Sequence, residues 1–547
     1  MDNALTERFR PWAHLTRDGL IRLLDSAARI APDDAFLAGQ LVRFLVDQAD
    51  YERAAAAAER CTASAWWCGV LRAYVTARAG DLAGADSGYR SAMSTMPGKL
   101  RCEWNDVSAL LDSASAVQYR GLAGGCGWRD SVADIVWWLA DPLLSQPGNE
   151  RRAEHYVRRT IATLHAALTR DERFDWRDSM GNDARAEMIF RYGWPAYSYW
   201  NGPLEDSEHT GYLAQHASHP NEPYTTYEYP FGRLHLVPGA KAIAEPFSAA
   251  STDWELASRT KASSPLFGSV DAGWWPREHF AAPMRLVQLP DPQTAFLRRE
   301  HDVILATALE LPPELLQRKP RSSIEGIVLV VSSDPRTVRS VATRPGVTGA
   351  SVALWGTIPA QPALVAIEFP SLKNASPAGR TRFGVRPPAP LSAMQPGEVA
   401  ISDPVLIHPS PGAELPTVTE SALGLMAGSR RVKSGGSVGI YWETYGITAA
   451  DTVQFAVWVE RHTPQGIIRR FTNSLQLTRD LNTPIVVSWE TIGGGERVDT
   501  GNGRIPAVGR SLSVDVSKLP TGAYWMEVAA QVRGREAVRG RTEIVVQ

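Results

Sequence analysis

The stretch WWLADPLLSQPGNERRAEHYVRRT, Trp137–Thr160, decides how the first half of the chain is read. Trp137 and Trp138 close an aromatic-rich helix, Pro142 and Pro147 punctuate a turn, and a charged helix starts after Asn149. An asparagine there suits an N-cap, because its side-chain oxygen accepts from free amides of the first turn. Glu150 favours the positive end of the helix dipole. Glu154 and Arg158 stand four residues apart as a favourable pair on one face, and Arg151 shares a face with His155. Helix initiation and surface pairing account for this island without chemistry; a functional role requires Asp141 and Glu150 to converge in a cleft. After the charged helix comes a second aromatic island, FRYGWPAYSYW, Phe190–Trp200.

Upstream, apolar residues recur at three and four spacing through LIRLLDSAARI and FLAGQLVRFLVDQ, so residues 1–118 read as helical. The segment GDLAGADSGYRSAMSTMP places Gly80, Ala85, Tyr89, Ala92 and Pro97 where a tetratricopeptide repeat places its turn glycine, small packing residues, aromatic and terminal proline. DYERAAAAAERC, Asp50–Cys61, suggests an earlier degenerate copy. Stacked helix pairs of this kind commonly bind peptides on their concave side.

Downstream, residues 119–245 form the segment around the two islands, with helices expected to about Leu139 and from Glu150 to Leu168. The strand-like EMIFRYG and the aromatic strand TTYEYPFGRLHLV follow. Residues 246–292, with many Ser, Ala and Pro, read as a connector. From Thr294 the period changes to two. FLRREHDVILATALELP, IEGIVLVVSS, ASVALWGTIP and ALVAIEFPS read as strands of a first sandwich over 293–408 that ends with ISDPVLI. SVGIYWETYGI, TVQFAVWVERH, PIVVSWET, SLSVDVS, GAYWMEVAAQV and RGRTEIVVQ build a second over 409–547. The fold class expected is multidomain α+β: a helical repeat-like region, a mixed segment and two immunoglobulin-like β-sandwiches.

With 547 residues the chain exceeds one core and implies roughly three to five domains. Fifty-seven basic against 59 acidic residues give a formal charge of -2, which disfavours nucleic-acid binding through a broad basic face. No run of about 18 apolar residues occurs, so no transmembrane segment is expected. The N-terminal MDNALTERFRPWAHLTRDGL lacks the basic and apolar regions of a signal peptide, which leaves the cytoplasm, or an export signal upstream of this sequence. Cys61, Cys68, Cys102 and Cys126 form no CxxC motif, so structural zinc is not expected. Cys61 and Cys68, two turns apart, could not bridge within one straight helix. Buried thiols are the expectation, with one disulfide if the chain is exported. The 18 tryptophans read as packing groups, with an aromatic platform for a carbohydrate or partner as the alternative.

The two islands together resemble the GWxTD domain, a bacterial family whose members show an aromatic, then Asp-Pro, then Asn-Glu leading an Arg-containing helix. Trp138, Asp141, Pro142, Asn149, Glu150, Tyr156 and Arg159 match that order. The naming signature is poorly kept: MGNDARA, Met180–Ala186, retains only Arg185. Tyr192, Gly193 and Pro195 fit the following Tyr-Gly-Pro-Pro segment, with Trp194 replacing a proline. IYWETYGI, Ile440–Ile447, is similar to the aromatic-Glu-x-Tyr strand found later in such proteins. The resemblance implies Asp141, Asn149, Glu150, Arg159, Arg185 and Tyr192 as binding-type residues and an envelope or periplasmic setting.

Other motifs carry little chemistry. GGSVG, Gly435–Gly439, has the letters of a nucleophile elbow but leads into a strand instead of a helix. His209, His216 and His219 lie in a polar loop without HExxH, and GGGERVDTGNGRIP, Gly493–Pro506, lacks the Lys-Ser/Thr of a phosphate cradle. No catalytic residue, metal ligand or cofactor is therefore assigned. The expectation is a non-enzymatic interaction or scaffold protein with a protein partner. The alternatives are an enzyme site at Asp141, Glu150, Arg185 and Tyr192, or carbohydrate binding on exposed coplanar aromatics such as Trp442, Trp458 or Trp525.

Overall fold

The computed structural model describes residues 3–111, 113–122, 125–166, 197–200, 225–228, 238–254, 286–316, 327–335, 337–341, 346–348, 351–370, 378–408, 412–461, 485–501 and 504–547. The chain divides into two units, residues 1–287 with 371–378 and residues 288–370 with 379–547. The first is helical and the second is built of several sheets.

The helical unit runs α1 (Asn3–Ile30), α2 (Ala35–Asp47), α3 (Tyr51–Arg60), α4 (Ala65–Arg78), α5 (Leu82–Ser94), α6 (Gly98–Trp104), α7 (Ser113–Arg120), α8 (Gly125–Ala140) and α9 (Glu150–Ala166). Local chemistry sets several starts. Asp34 accepts from the amides of Phe36 and Leu37, Asp50 from Arg53 and Asp81 from Gly84, each satisfying free donors of a first turn. Gly80 turns the chain between α4 and α5 at φ 102°. These two helices approach closely because their contact is made of small residues. A Cβ on Gly69 would stand 2.9 Å from Ala92 Cβ, and one on Gly88 3.1 Å from Ala73 Cβ.

Ala85, Tyr89 and Ala92, singled out in the sequence, lie on the buried face of α5. α9 packs on α2, α4 and α5. Its Ala153, Tyr156, Val157 and Leu164 belong to the same apolar core as Leu41, Val70, Leu71 and Tyr89. One core thus runs across residue 118. Two short strands, β1 (Tyr197–Trp200) and β2 (Thr225–Glu228), pair antiparallel with Tyr197 opposite Glu228.

The cysteines depart from the expectation of buried thiols. Cys61 bonds to Cys68 and Cys102 to Cys126, leaving no free cysteine. The first bridge forms because the helix breaks: α3 ends at Arg60, Cys61 is its extended C-cap, and Cys68 lies in the first turn of α4. The chain reversal brings the two Cα atoms to 5.6 Å, inside bonding reach.

The second unit contains β3 (Leu286–Gln288, entering it), β4 (Gln293–Arg298), β5 (Asp302–Glu310), β6 (Val328–Asp334), β7 (Thr337–Val341), β8 (Gly346–Thr348), β9 (Ser351–Pro359), β10 (Ala363–Phe369) and β11 (Ala378–Val385). The run read as the single strand FLRREHDVILATALELP is a hairpin that turns at Arg299–His301. β4, β5, β9 and β8 form one sheet in that order. β10 pairs with both β11 and β6, and β6 with β7. β9 packs on β6 and β7.

The chain continues through β12 (Ala400–Ile401), β13 (Val405–Ile407), β14 (Arg431–Val432), β15 (Ser437–Tyr445), β16 (Thr452–Arg461), β17 (Ile485–Ile492), β18 (Ala507–Asp515), β19 (Gly522–Val532) and β20 (Val538–Val546). One sheet has the order β14-β20-β19-β16-β17; in the other, β12, β13 and β18 all pair with β15. The segment ISDPVLI, read as the end of the first sandwich, thereby joins the second, because β12 and β13 find their hydrogen bonds on β15.

β15 is buried on both faces. Ile440 and Trp442 point into the core shared with Phe455, Val457, Tyr524 and Met526. Tyr441 points the other way, into a core with Leu297, Ala306, Val405 and Leu423. Two-sided burial explains why IYWETY shows no clean alternation of apolar and polar residues.

Candidate functional site

The residues singled out by sequence are placed as follows. Asn149 caps α9: its Oδ1 accepts from Arg152 N at 2.8 Å and its Nδ2 donates to Trp137 O at 2.7 Å, tying α8 to α9. Asp141 Oδ1 accepts from Leu143 N at 3.1 Å within the turn. Glu150 is buried in the first turn of α9. Arg159 donates to Asp106 O at 2.8 Å, and burial holds its pKa below the ordinary arginine value. Arg185, Tyr192, MGNDARA and the histidine loop lie outside the described residues.

The polar face of α9 is buried, whereas the sequence suggested a surface helix. Arg151, His155 and Arg158 are at most 2% exposed. The helix packs into the array with several of its polar groups bonded to neighbouring elements. Arg152 makes a two-pronged ion pair with Asp86 of α5 at 2.7 and 2.8 Å. Burial opposes its charge, but the hydrogen bonds and charge of Asp86 prevail and raise its pKa. Tyr156 donates to Asn105 at 2.6 Å, Thr160 meets the Tyr89 hydroxyl at 3.0 Å, and Gln40 donates to Leu164 O at 2.9 Å. Arg158 pairs with Glu154 at 2.9 Å, as the four-residue spacing suggested.

His155 Nε2 lies 3.3 Å from Trp104 O and 3.4 Å from Arg159 Nε. Burial, then the positive charges of Arg159 and Arg151, push its pKa well below the ordinary imidazole value, so the ring is neutral. This face is an internal polar seam that seats one helix on others.

The second unit holds a polar cluster that the sequence showed only as the letters YWETY. Glu443, fully buried on β15, accepts from Arg299 Nη1 at 2.8 Å and Nη2 at 3.1 Å. It also accepts from Thr419 at 2.6 Å, Tyr441 at 3.2 Å and Tyr445 at 2.7 Å. Burial and the adjacent carboxylate push both tyrosine pKa values up, so their hydroxyls stay protonated as donors. Arg299 is held above its ordinary value: burial opposes the charge, and Glu443 outweighs it. The guanidinium comes from the β4–β5 turn, so this cluster ties that hairpin to β15. Arg299, Glu300 and Asp302 also line a cleft of 470 Å³ with Asp499 and Thr500 of the β17–β18 loop.

The aromatics offered as a carbohydrate platform are covered. Trp442 is fully buried, Arg539 lies over the Trp458 ring at 5.4 Å, and Arg541 over Trp525 at 4.6 Å. Ser437 of GGSVG opens β15 after a turn with Gly435 at φ 85°. Among the described residues no three His, Cys, Asp or Glu side chains form a metal-binding group, and no helix is long and apolar enough to cross a membrane.

No family model matches this chain, and neither does any curated protein. Among solved structures, a tetra-tandem repeat from the extending region of a large adhesion protein is 12% identical, over 48% of this chain and 48% of that one, with a TM-score of 0.14. A DUF3823 family protein from Parabacteroides merdae is 10% identical over 41% and 88%, with a TM-score of 0.15. Red sea bream transglutaminase is 8% identical over 47% and 31%, with a TM-score of 0.14. The chain thus spans about half the length of the adhesion repeat it matches. Likenesses this distant assign no activity.

Proposed function

We propose that this chain is a non-enzymatic, multidomain interaction protein related to the GWxTD family. Tetratricopeptide-like helices and immunoglobulin-like sandwiches would present its surfaces to a protein partner. The observation that carries the reading is the use made of the polar groups around α9. Asn149, Arg152, Tyr156, Arg159 and Thr160 each bond to a neighbouring element of the helical unit, or cap the helix itself. Groups that act on a substrate have to face a cleft it can enter; these are committed to packing.

A groove of 290 Å³ on the same unit, lined by Tyr51, Glu59, Arg72, Val75 and Thr76 of α3 and α4, is a place for a partner segment. It combines apolar, aromatic and charged groups in one concave strip. Pairing of all four cysteines fits the oxidising setting that the family resemblance implies.

The test is affinity purification of the full chain from its native cells, as wild type and as a Tyr51→Ala/Arg72→Glu variant with an unchanged circular dichroism spectrum. A partner recovered in stoichiometric amount with the wild type and lost with the variant is expected. Recovery of the chain alone as a monomer would overturn the reading.

A further inference from the structure

We propose that the cleft at the β4–β5 turn binds an organic cation, an ammonium or guanidinium carried on an aliphatic stem, with Glu300 as its counter-charge. The backbone of Glu300 is fixed from both sides: its amide donates to Thr500 O at 3.0 Å and its carbonyl accepts from Ser392 N at 2.8 Å. The residue held by this frame lines the cleft although it is only 8% exposed. Glu300 Oε2 is buried without a hydrogen-bond partner. A buried carboxylate oxygen left unpaired costs free energy that a bound donor would recover.

The adjacent guanidinium does not fill this role, because both Nη atoms of Arg299 are committed to Glu443. The other titratable groups lining the cleft are His301, Asp302 and Asp499. Exposure is graded along it: Asp499 is exposed, Asp302 half-buried and Glu300 buried, so negative charge extends from the mouth inwards. Asp499 is positioned by accepting from Gly501 N at 2.9 Å.

Ile304 and Thr357 supply methyl groups against which an aliphatic stem can lie. The 470 Å³ volume is that of a small-molecule site and exceeds what a lone ammonium needs. A metal ion fits less well, since no three His, Cys, Asp or Glu side chains among the described residues form a metal-binding group. The same chemistry could come from an arginine or lysine side chain of a partner segment or from a free amine, and the two probes below separate these sources.

The experiment is calorimetric titration of the full chain with agmatine and with the blocked peptide acetyl-Gly-Arg-Gly-amide, using the citrulline peptide as a neutral control. Saturable binding of at least one cationic probe is expected, with the citrulline peptide at least tenfold weaker. Glu300→Gln should weaken the cationic probe by about tenfold or more, the loss expected when a charge-assisted hydrogen bond is removed. Asp499→Asn, at the exposed mouth, should weaken it less, and it serves as an independent variant. Peptide binding tighter than agmatine points to a partner side chain, and the reverse order to a free amine; either supports the site. In the absence of probe, Glu300→Gln should unfold at the same temperature as the wild type or higher, because its carboxylate has no partner to lose. Absence of saturable binding at millimolar probe, equal binding by wild type and both variants, or a lowered unfolding temperature of Glu300→Gln would overturn the proposal.

Discussion

Replacing Arg299 with methionine keeps an unbranched stem and removes the guanidinium that faces Glu443. Glu443 is fully buried, and the substitution deletes its 2.8 and 3.1 Å charged hydrogen bonds. The hydroxyls of Thr419, Tyr441 and Tyr445 remain as donors. Removing one partner of a buried ion pair costs about 3–5 kcal/mol, chiefly because the other charge is left uncompensated. Three surviving hydroxyl donors place this case near the lower end, at about 3 kcal/mol. The reciprocal Glu443→Leu leaves Arg299, whose side chain is 12% exposed and keeps some access to water. The double variant Arg299→Met/Glu443→Leu removes both charges and should lose far less stability than the sum of the single losses, because a buried pair replaced by apolar groups is often near neutral. The assay is urea unfolding of the full chain and the three variants. The transition of the second unit is followed by near-ultraviolet circular dichroism, which reports Tyr441, Trp442 and Tyr445 together. A single-variant loss under about 0.5 kcal/mol, or additive losses in the double variant, would refute the view that this pair is buried and mutually dependent.

Acid should weaken the helical unit through His155. Its folded pKa lies well below the unfolded value of about 6.5, so the unfolded chain takes up a proton first and stability falls as pH drops below that value, by at most about 1.4 kcal/mol per pH unit. Comparing urea midpoints at pH 7 and pH 5 checks this, and His155→Gln should flatten the dependence. Asp86→Ala should cost about 3 kcal/mol by stranding Arg152 at the α5–α9 contact; a melting temperature equal to wild type would count against the seam. Removing the disulfides as serine pairs should cost about 2.4 kcal/mol for Cys61–Cys68 and about 3.5 kcal/mol for Cys102–Cys126, from loop separations of 7 and 24 residues. Thiol titration of the unreduced chain should find no free cysteine, and four free thiols would contradict both bridges.

What the sequence makes legible is local. The expected helix starting at Glu150 coincides with the start of α9, and Asn149 performs the capping expected of it, because a cap joins residues three apart. The change to period two after Thr294 marks the sheets for the same reason: alternation is a nearest-neighbour property. Hydrogen-bond partners distant in sequence leave no such trace. Asp86 and Arg152 are separated by 66 residues, and Arg299 and Glu443 by 144. The α9 residues thus read as a solvated face but form a buried seam, and Glu443 read as one letter of an aromatic strand.

The sequence by itself determined the change from helical to two-residue periodicity, the Asn149 cap and the balanced charge. Tertiary structure alone decided that Cys61 meets Cys68 across a helix break and that β15 is covered on both faces. It also decided that Glu300 Oε2 is enclosed without a hydrogen-bond partner beside an arginine already committed elsewhere. The reason is physical: backbone propensity and capping act over a turn or two, whereas burial and the pairing of charges depend on which surfaces the folded chain brings together.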